Sequence, residues 1–325
     1  MKKNNLYLLG ALLMLGGACG KQDHYTLRGA FPGLEDGMVV TLHNMEAPEN
    51  DENRGLLARD TVRDGRFELR GSMAAPAFCM LSVTNRPLVV EVKEVKDEDG
   101  NLEKKEVKKG EVRTKKAWVM LDNSDLRLDV PHFDSIGYVA MELPFASERI
   151  GAVKGSRVQE ELEAYRRALL PVELEAYRPE DSLSSVRFWK YKYEPAEYIR
   201  IYDELFPQVQ AGKAAVRKAR EAFVAGHPQS AVAALAVAQI LDEAGDFALS
   251  AEELDALAAS VKGVTDTTRM ARLSRQLERA RHLARGVRFT DLPLENLEAG
   301  EVAFSDYVKP GTYTLVDFWA SWCGP

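Results

Sequence analysis

Cysteine is scarce: Cys19, Cys79 and Cys323 are the three thiols in a chain of 325 residues. So few exclude the disulfide framework that staples small secreted domains. The five histidines, His24, His43, His132, His227 and His282, are scattered without paired ligand spacing, so no metal is expected. An excess of positive charge is missing too. With a formal charge of −7 and a pI near 5.5, nucleic acid is not an expected partner. No G-x-S-x-G elbow, phosphate-binding Walker loop or dinucleotide fingerprint occurs, and no cofactor is expected. Beyond the first residues, no apolar run is long enough to span a bilayer.

What is present is ordinary in bulk: 46% hydrophobic and 29% charged residues, the balance of a soluble globular protein. The length predicts two or three domains. The N-terminus is more specific. Two lysines in MKKNN precede the apolar run LYLLGALLMLGGA, residues 6–18, which is the length of a signal-peptide core. Residues 1–18 therefore read as a signal peptide. The small triplet Gly16, Gly17 and Ala18 against Cys19 resembles a lipobox, which implies a lipidated Cys19 as mature N-terminus. Gly16 stands where that pattern has an aliphatic residue, and a plain secretory signal is the competing reading. Lipid on Cys19 implies a membrane tether and a cell-envelope location, facing the periplasm or the outer surface.

Residues 19–145 read as a β-rich, sandwich-like or barrel-like domain. HYTLRGAF, GMVVTLHN, RFELRGSM, AFCMLSV, PLVVEVKEV, AWVMLD and LRLDV are short, β-branched or aromatic, and separated by turn signals. In DTVRDGRFELRG, Asp64-Gly65 suits a primed hairpin turn with Val62, Phe67 and Leu69 as apolar positions. Cys79 reads as a small buried hydrophobe. The segment 91–116 holds nine basic and eight acidic residues and predicts a solvated hairpin or loop.

From about 150 to 285 the apolar period becomes helical. Ser250 and Glu253 form a capping-box signature, and Gly263 is placed to end that helix. Ala231, Ala234, Leu235, Ala238 and Leu241 make one apolar face. Met270, Leu273, Leu277, Ala280 and Ala284 make another, with Arg269, Arg272, Arg275, Arg279, Arg281 and Arg285 as its solvated remainder. Asp181, Asp203 and the many glutamates read as solvated faces. The expected fold class is α+β multidomain.

After Gly286 the sequence predicts a small hairpin, a polar connection and an apolar strand, TYTLVDFW, running into ASWCGP at the last residues. A redox thiol must be exposed, must ionise near neutral pH, and needs a second thiol in reach. DFWASWCGP resembles the active-site approach of the thioredoxin-like family, and ARGVRFTDLPLEN with VAFSDYVKPGTYTLVDF resembles its membrane-anchored extracytoplasmic branch. The hairpin motif of the β region and HPQSAVAAL fit envelope thiol-disulfide oxidoreductases that carry an N-terminal domain of unassigned function. The resemblance implies that residues 286–325 begin a thioredoxin-like domain. It also implies a redox site comprising Trp322, Cys323, Gly324 and Pro325, with Asp317 as the buried acid of proton transfer. Implied partners are disulfide-bearing envelope proteins and an upstream electron donor.

The family motif continues into a second cysteine that does not follow Pro325. The expectation is a truncated form that lacks the resolving thiol or selenol and is inactive for full turnover. A fragment end, a nonsense mutation and a selenocysteine codon stand as three readings of that stop. A strand with no sheet to enter predicts poor order past about residue 290. Two other functions compete: a binding or scaffold lipoprotein, and a thiol peroxidase, whose P-x-x-x-T-x-x-C pattern WASWCGP does not match.

Overall fold

The computed structural model describes residues 23–48, 51–85, 90–96, 102–108, 112–137, 151–243, 249–295 and 300–316. It is α+β, with several sheets and, among the described residues, five α-helices. The first sheet has the order β10 (Val153–Lys154), β9 (Asp125–Leu128), β1 (Tyr25–Ala30), β4 (Arg66–Gly71). The second has the order β3 (Leu56–Thr61), β2 (Val39–Asn44), β5 (Ala77–Thr84), β8 (Thr114–Leu121). All pairings are antiparallel except β1 with β9.

Strand periodicity explains the core between the sheets. Tyr25 and Leu27, Phe67 and Leu69, and Leu126 and Leu128 point inward, while Arg28, Arg66, Arg70 and Arg127 alternate outward. Val40, Leu42, Leu81, Val83 and Val119 meet them from the second sheet. β5 and β8 differ from the other strands because both of their faces are covered. Cys79 and Leu81 face the inter-sheet core, whereas Phe78 and Met120 join the core of the helical part. That double burial is why AFCMLSV and AWVML read as nearly unbroken apolar runs.

Asp64 and Gly65 both have positive φ, 51° and 66°, which is the backbone of a primed turn. Val62, Phe67 and Leu69 are buried beside it. The strands it connects do not zip together along their length. Arg63 and Arg66 form an isolated bridge, after which β3 stays in the second sheet and β4 enters the first. The turn is a crossover between layers rather than a simple hairpin. Within the charged segment, β6 (Val90–Lys96) pairs antiparallel with β7 (Leu102–Lys108) as a two-stranded ribbon outside both larger sheets.

The helical part begins with α1 (Arg157–Phe188) and α2 (Pro195–Gly226), packed on each other as a long antiparallel hairpin. α3 (Ala231–Asp242), α4 (Ala251–Ser260) and α5 (Thr267–His282) follow. Every residue of α3 from Ala231 to Val237 is buried, so the expected single apolar face is in fact a helix sheathed nearly all round. Ser250 and Glu253 complete both halves of the capping box at α4. Gly263 does not terminate that helix. α4 stops at Ser260 with Val261 as C-cap, and Gly263 serves a close approach in which a Cβ would meet the Pro228 carbonyl and Gln229.

Two charge readings are corrected by burial. Asp181 and Asp203 are exposed, but Glu163 and Glu173 are buried. Glu163 accepts from Gly151 N and Gln159 Nε2, both at 2.8 Å, and Gln159 Oε1 accepts from Met120 N of β8 at 2.7 Å. Glu173 lies 3.7 Å from the buried Arg220. Arg269 does not belong to the solvated face of α5. It is 6% exposed and reaches across to the sheet, where Nη1 and Nη2 each donate to the Glu46 carboxylate at 2.7 Å. Nη2 also donates to Pro76 O at 3.1 Å, and Glu46 Oε2 accepts from Phe78 N at 2.8 Å. A bidentate, charge-assisted pair of this kind fixes orientation as well as contributing energy. Arg275, Arg279, Arg281 and Arg285 are exposed as expected.

Removing one partner of a buried pair strands the other charge. Arg269→Met is expected to lower stability in urea by about 3–5 kcal/mol, with the Glu46→Met, Arg269→Met double replacement costing less than the two single changes together. A loss below about 1 kcal/mol for the single change counts against the clasp. A pH test concerns Glu163. Burial raises its carboxyl above 4.5, opposed by Arg166 and by the bonds from Gly151 and Gln159. The folded state then holds more protons than the unfolded one from about pH 4.5 up to the folded pKa, so stability falls as pH rises through that window. Glu163→Gln should remove that downward slope; urea titrations giving parallel wild-type and mutant profiles would refute the assignment.

Candidate functional site

The residues that carry the redox motif, Asp317, Trp322, Cys323, Gly324 and Pro325, lie outside the described residues, as does Cys19. The segment leading to them is described to Val316. After α5, Arg285 N donates to Leu249 O and Gly286 turns the chain with φ 88°. β11 (Pro293–Glu295) then pairs with β12 (Glu301–Ala303), the small hairpin that the sequence predicts. Ser305 donates its N–H and its hydroxyl to Asp291 at 2.9 and 2.7 Å. Those bonds hold the Asp291 carboxyl below its usual range. Phe289 and Phe304 meet edge to face at 5.2 Å. No described residue from 287 onward belongs to either core. Residues 313–316 take no strand, and Tyr313 and Leu315 are exposed, so the expected strand TYTLVDFW has no described strand in its first half.

Cys79 is where the sequence reading puts it, fully buried in β5 among Leu42, Leu81 and Val119 of the inter-sheet core. Burial, with the Glu46 carboxylate adding to it, pushes the thiol far above its ordinary pKa, and Arg269 opposes this only in part. A thiol in that state is neither a nucleophile nor an accessible resolving group.

HPQS in residues 227–230 is accounted for structurally. His227 caps the end of α2 and its ring stacks on Phe223 at 4.2 Å. Ser230 caps α3, its hydroxyl accepting from Val232 N and donating to Glu161 at 2.6 Å. The starts of α1, α3 and α5 converge here on a cleft of about 700 Å³. Converging helix N-termini favour anions, but Ser156, Ser230 and Asp266 already cap these helices, and the carboxylates of Glu161 and Asp266 stand at the cleft. The cleft is therefore not arranged for an anionic ligand. Between the second sheet, α3 and α5 a smaller cleft of about 190 Å³ is lined by Glu46, Gln239, Asp242, Arg272 and Gln276. Among the described residues no group of His, Cys, Asp and Glu is arranged to hold a metal.

One cluster escapes a reading based on redox and catalytic motifs. RFWKYKY, residues 187–193, joins α1 to α2, and its interleaved aromatic and basic residues are the signal that marks it in the sequence.

No protein-family model matches the chain, and no curated protein matches it. Among solved structures, a 9R-lipoxygenase from Cyanothece aligns with 62% of this chain at 13% identity and a TM-score of 0.16. This chain covers 30% of that lipoxygenase, and a likeness so slight carries no argument about fold or chemistry.

The state of Cys79 is directly testable. With Cys19 and Cys323 both replaced by serine, the folded chain should show no rapid reaction with a thiol reagent, and Cys79 should label only at the rate of unfolding. Fast labelling under native conditions means the β5 thiol is open to solvent.

Proposed function

We propose that this protein takes part in thiol–disulfide exchange in the cell envelope, with Cys323 as the attacking thiol. The observation that carries the reading is the motif DFWASWCGP, where an apolar stretch delivers Trp322-Cys323 followed by Gly-Pro. The burial of Cys79 supports it by elimination, since that thiol is sealed between two sheets and cannot share the work. The proposed division has residues 1–18 as leader and 19–145 as a β-rich domain with the charged insert 91–116. A helical domain, 150–285, follows, and residues 286–325 begin a thioredoxin-like domain. Lipid on Cys19 would hold the whole at a membrane surface.

The chemistry needs two sulfur or selenium centres. The Cys323 thiolate attacks a client disulfide, forming a mixed disulfide and expelling one client thiolate. A resolving thiol or selenol beyond Pro325 then attacks Cys323 Sγ and releases the client's second sulfur as thiolate. The oxidised pair so formed is reset by an external dithiol donor. Neither Cys19 nor Cys79 substitutes for that second centre: the first is assigned to lipid, the second is buried.

A second reading is a tethered scaffold whose β and helical parts bind a partner without redox chemistry. It is favoured by the two cores being complete without any described residue from 287 onward.

The two readings part on one experiment. Given a small disulfide substrate, the chain ending at Pro325 should accumulate a stable mixed disulfide at Cys323, and Cys323→Ser should abolish it. The in-frame product that continues past Pro325 should turn over a reductase substrate, with activity lost in Cys323→Ser and retained in Cys79→Ser. Turnover that survives loss of Cys323 excludes the redox assignment.

A further inference from the structure

The connection that joins α1 to α2 gathers exposed aromatic rings in one short stretch. Phe188 and Tyr191 are each 71% exposed, Trp189 40%, and Ile199 in the opening turns of α2 is 57% exposed. These residues cap a stalk. Leu183 and Val186 of α1 are buried in the hairpin seam, as are Val209 and Val216 of α2, yet none of the four belongs to the two main cores. From Leu169, the last fully buried α1 residue in the helical core, to Phe188 the helix rises about 28 Å. The aromatic tip therefore lies far along the hairpin from the described helical core.

The charge in the connection itself is one-sided. Between Arg187 and Tyr193 there are three cations, Arg187, Lys190 and Lys192, and no acid, while Glu194 and Glu197 follow at the start of α2. The cations are woven among the rings. Lys192 Nζ lies 3.7 Å from the centroid of Trp189 and 6.0 Å from that of Tyr191, and the Arg187 guanidinium lies 5.4 Å from that of Tyr202. Phe188 packs edge to face on Trp189 at 4.7 Å, and Trp189 on Tyr191 at 5.8 Å.

We propose that this tip, centred on Phe188, Trp189, Lys190, Tyr191 and Lys192, is a docking surface for an anionic phospholipid bilayer. A dry protein pocket that took these rings would also have to desolvate the ammonium groups lying on them. The headgroup region of a bilayer accepts both at once. Aromatic rings rest at the boundary between acyl chains and headgroups, while the lysines reach outward to lipid phosphates. Two lysines and an arginine at the surface of an acidic leaflet supply the electrostatic half of the attraction, and the exposed rings supply the apolar half.

The contact is separate from any lipid on Cys19. The start of β1 pairs through Thr26 with Asp125, and Gly155 packs against Asp125 immediately before α1 begins. The N-terminal end of β1 and the aromatic tip thus lie at opposite ends of α1, which is about 48 Å long. A bilayer touched at both points runs along the hairpin.

The test uses the full chain bound to two kinds of vesicle, phosphatidylcholine alone and phosphatidylcholine with about one third phosphatidylglycerol, so that the leader or anchor is present on both. Amide exchange over residues 189–194 should slow on the anionic vesicles and not on the neutral ones. Lys190→Gln with Lys192→Gln should weaken that protection about thirtyfold, and Trp189→Ala should weaken it as well, with unchanged circular dichroism because these side chains are exposed. Equal protection on both vesicle types overturns the proposal, as does none on either. Protection that appears without vesicles and rises with protein concentration assigns the tip to a second copy of the chain and equally overturns it.

Discussion

The β5–β8 pair is the partition on which this fold depends. Over Ala77–Leu81 and Ala117–Leu121 its two strands are apolar on both sides, so neither face there can be left to water, and the chain must supply two covers. The first sheet is one cover. The helical part is the other, with α1 and α5 brought against Phe78, Trp118 and Met120. Three of the polar groups trapped at that second boundary are answered in place: the Met120 amide by Gln159, the Phe78 amide by Glu46, and the Glu46 carboxylate by Arg269. A sheet covered in this way cannot slide by one residue, because a slip would exchange the side chains that belong to the two cores.

That arrangement also disposes of one of the three thiols. Cys79 sits on the inter-sheet face of the partition, with the Glu46 carboxylate near enough to disfavour a second negative charge. The same packing that makes β5 a central strand makes its cysteine inert. Of the three thiols, that leaves Cys19 and Cys323, both outside the described residues, for the exchange chemistry proposed above. The lead-in through β11 and β12 is ordered by local bonds such as Ser305 to Asp291, and none of its described residues belongs to either core.

The sequence was informative where a pattern is local. Asp64-Gly65, the Ser250–Glu253 box and the alternation in β1, β4 and β9 depend on neighbours a few residues away, and each is visible in the string of letters. It was uninformative where a residue's environment is made by distant chain. Glu46 and Arg269 are 223 residues apart, so helical period alone put Arg269 on the solvent side of α5 along with five other arginines. The same holds for Glu163 and Glu173, which look like surface glutamates until β8, Gly151 and Arg220 close over them. Gly263 misled for a related reason: a glycine after a helix predicts a left-handed cap, whereas here the requirement is space against Pro228 on another connection. The redox motif is different again. It is legible by resemblance alone, and its residues lie past the last described position.

The aromatic tip shows what a motif search leaves behind. Its residues carry no catalytic pattern, and helical periodicity absorbs them into the run from α1 to α2. What sets them apart is an energetic inconsistency. A hairpin that buries Leu183, Val186, Val209 and Val216 fills its seam with them, and Phe188, Trp189 and Tyr191 at its end pack on one another and leave much of their ring surface in water. Leaving them in water forgoes apolar burial of about 25 cal/mol per Å² that any contacting surface would recover. Placing Arg187, Lys190 and Lys192 among them then decides which kind of surface can recover it, since a purely apolar one would desolvate three cations and a purely polar one would leave the rings in water. A boundary that is apolar on one side and anionic on the other satisfies both groups together.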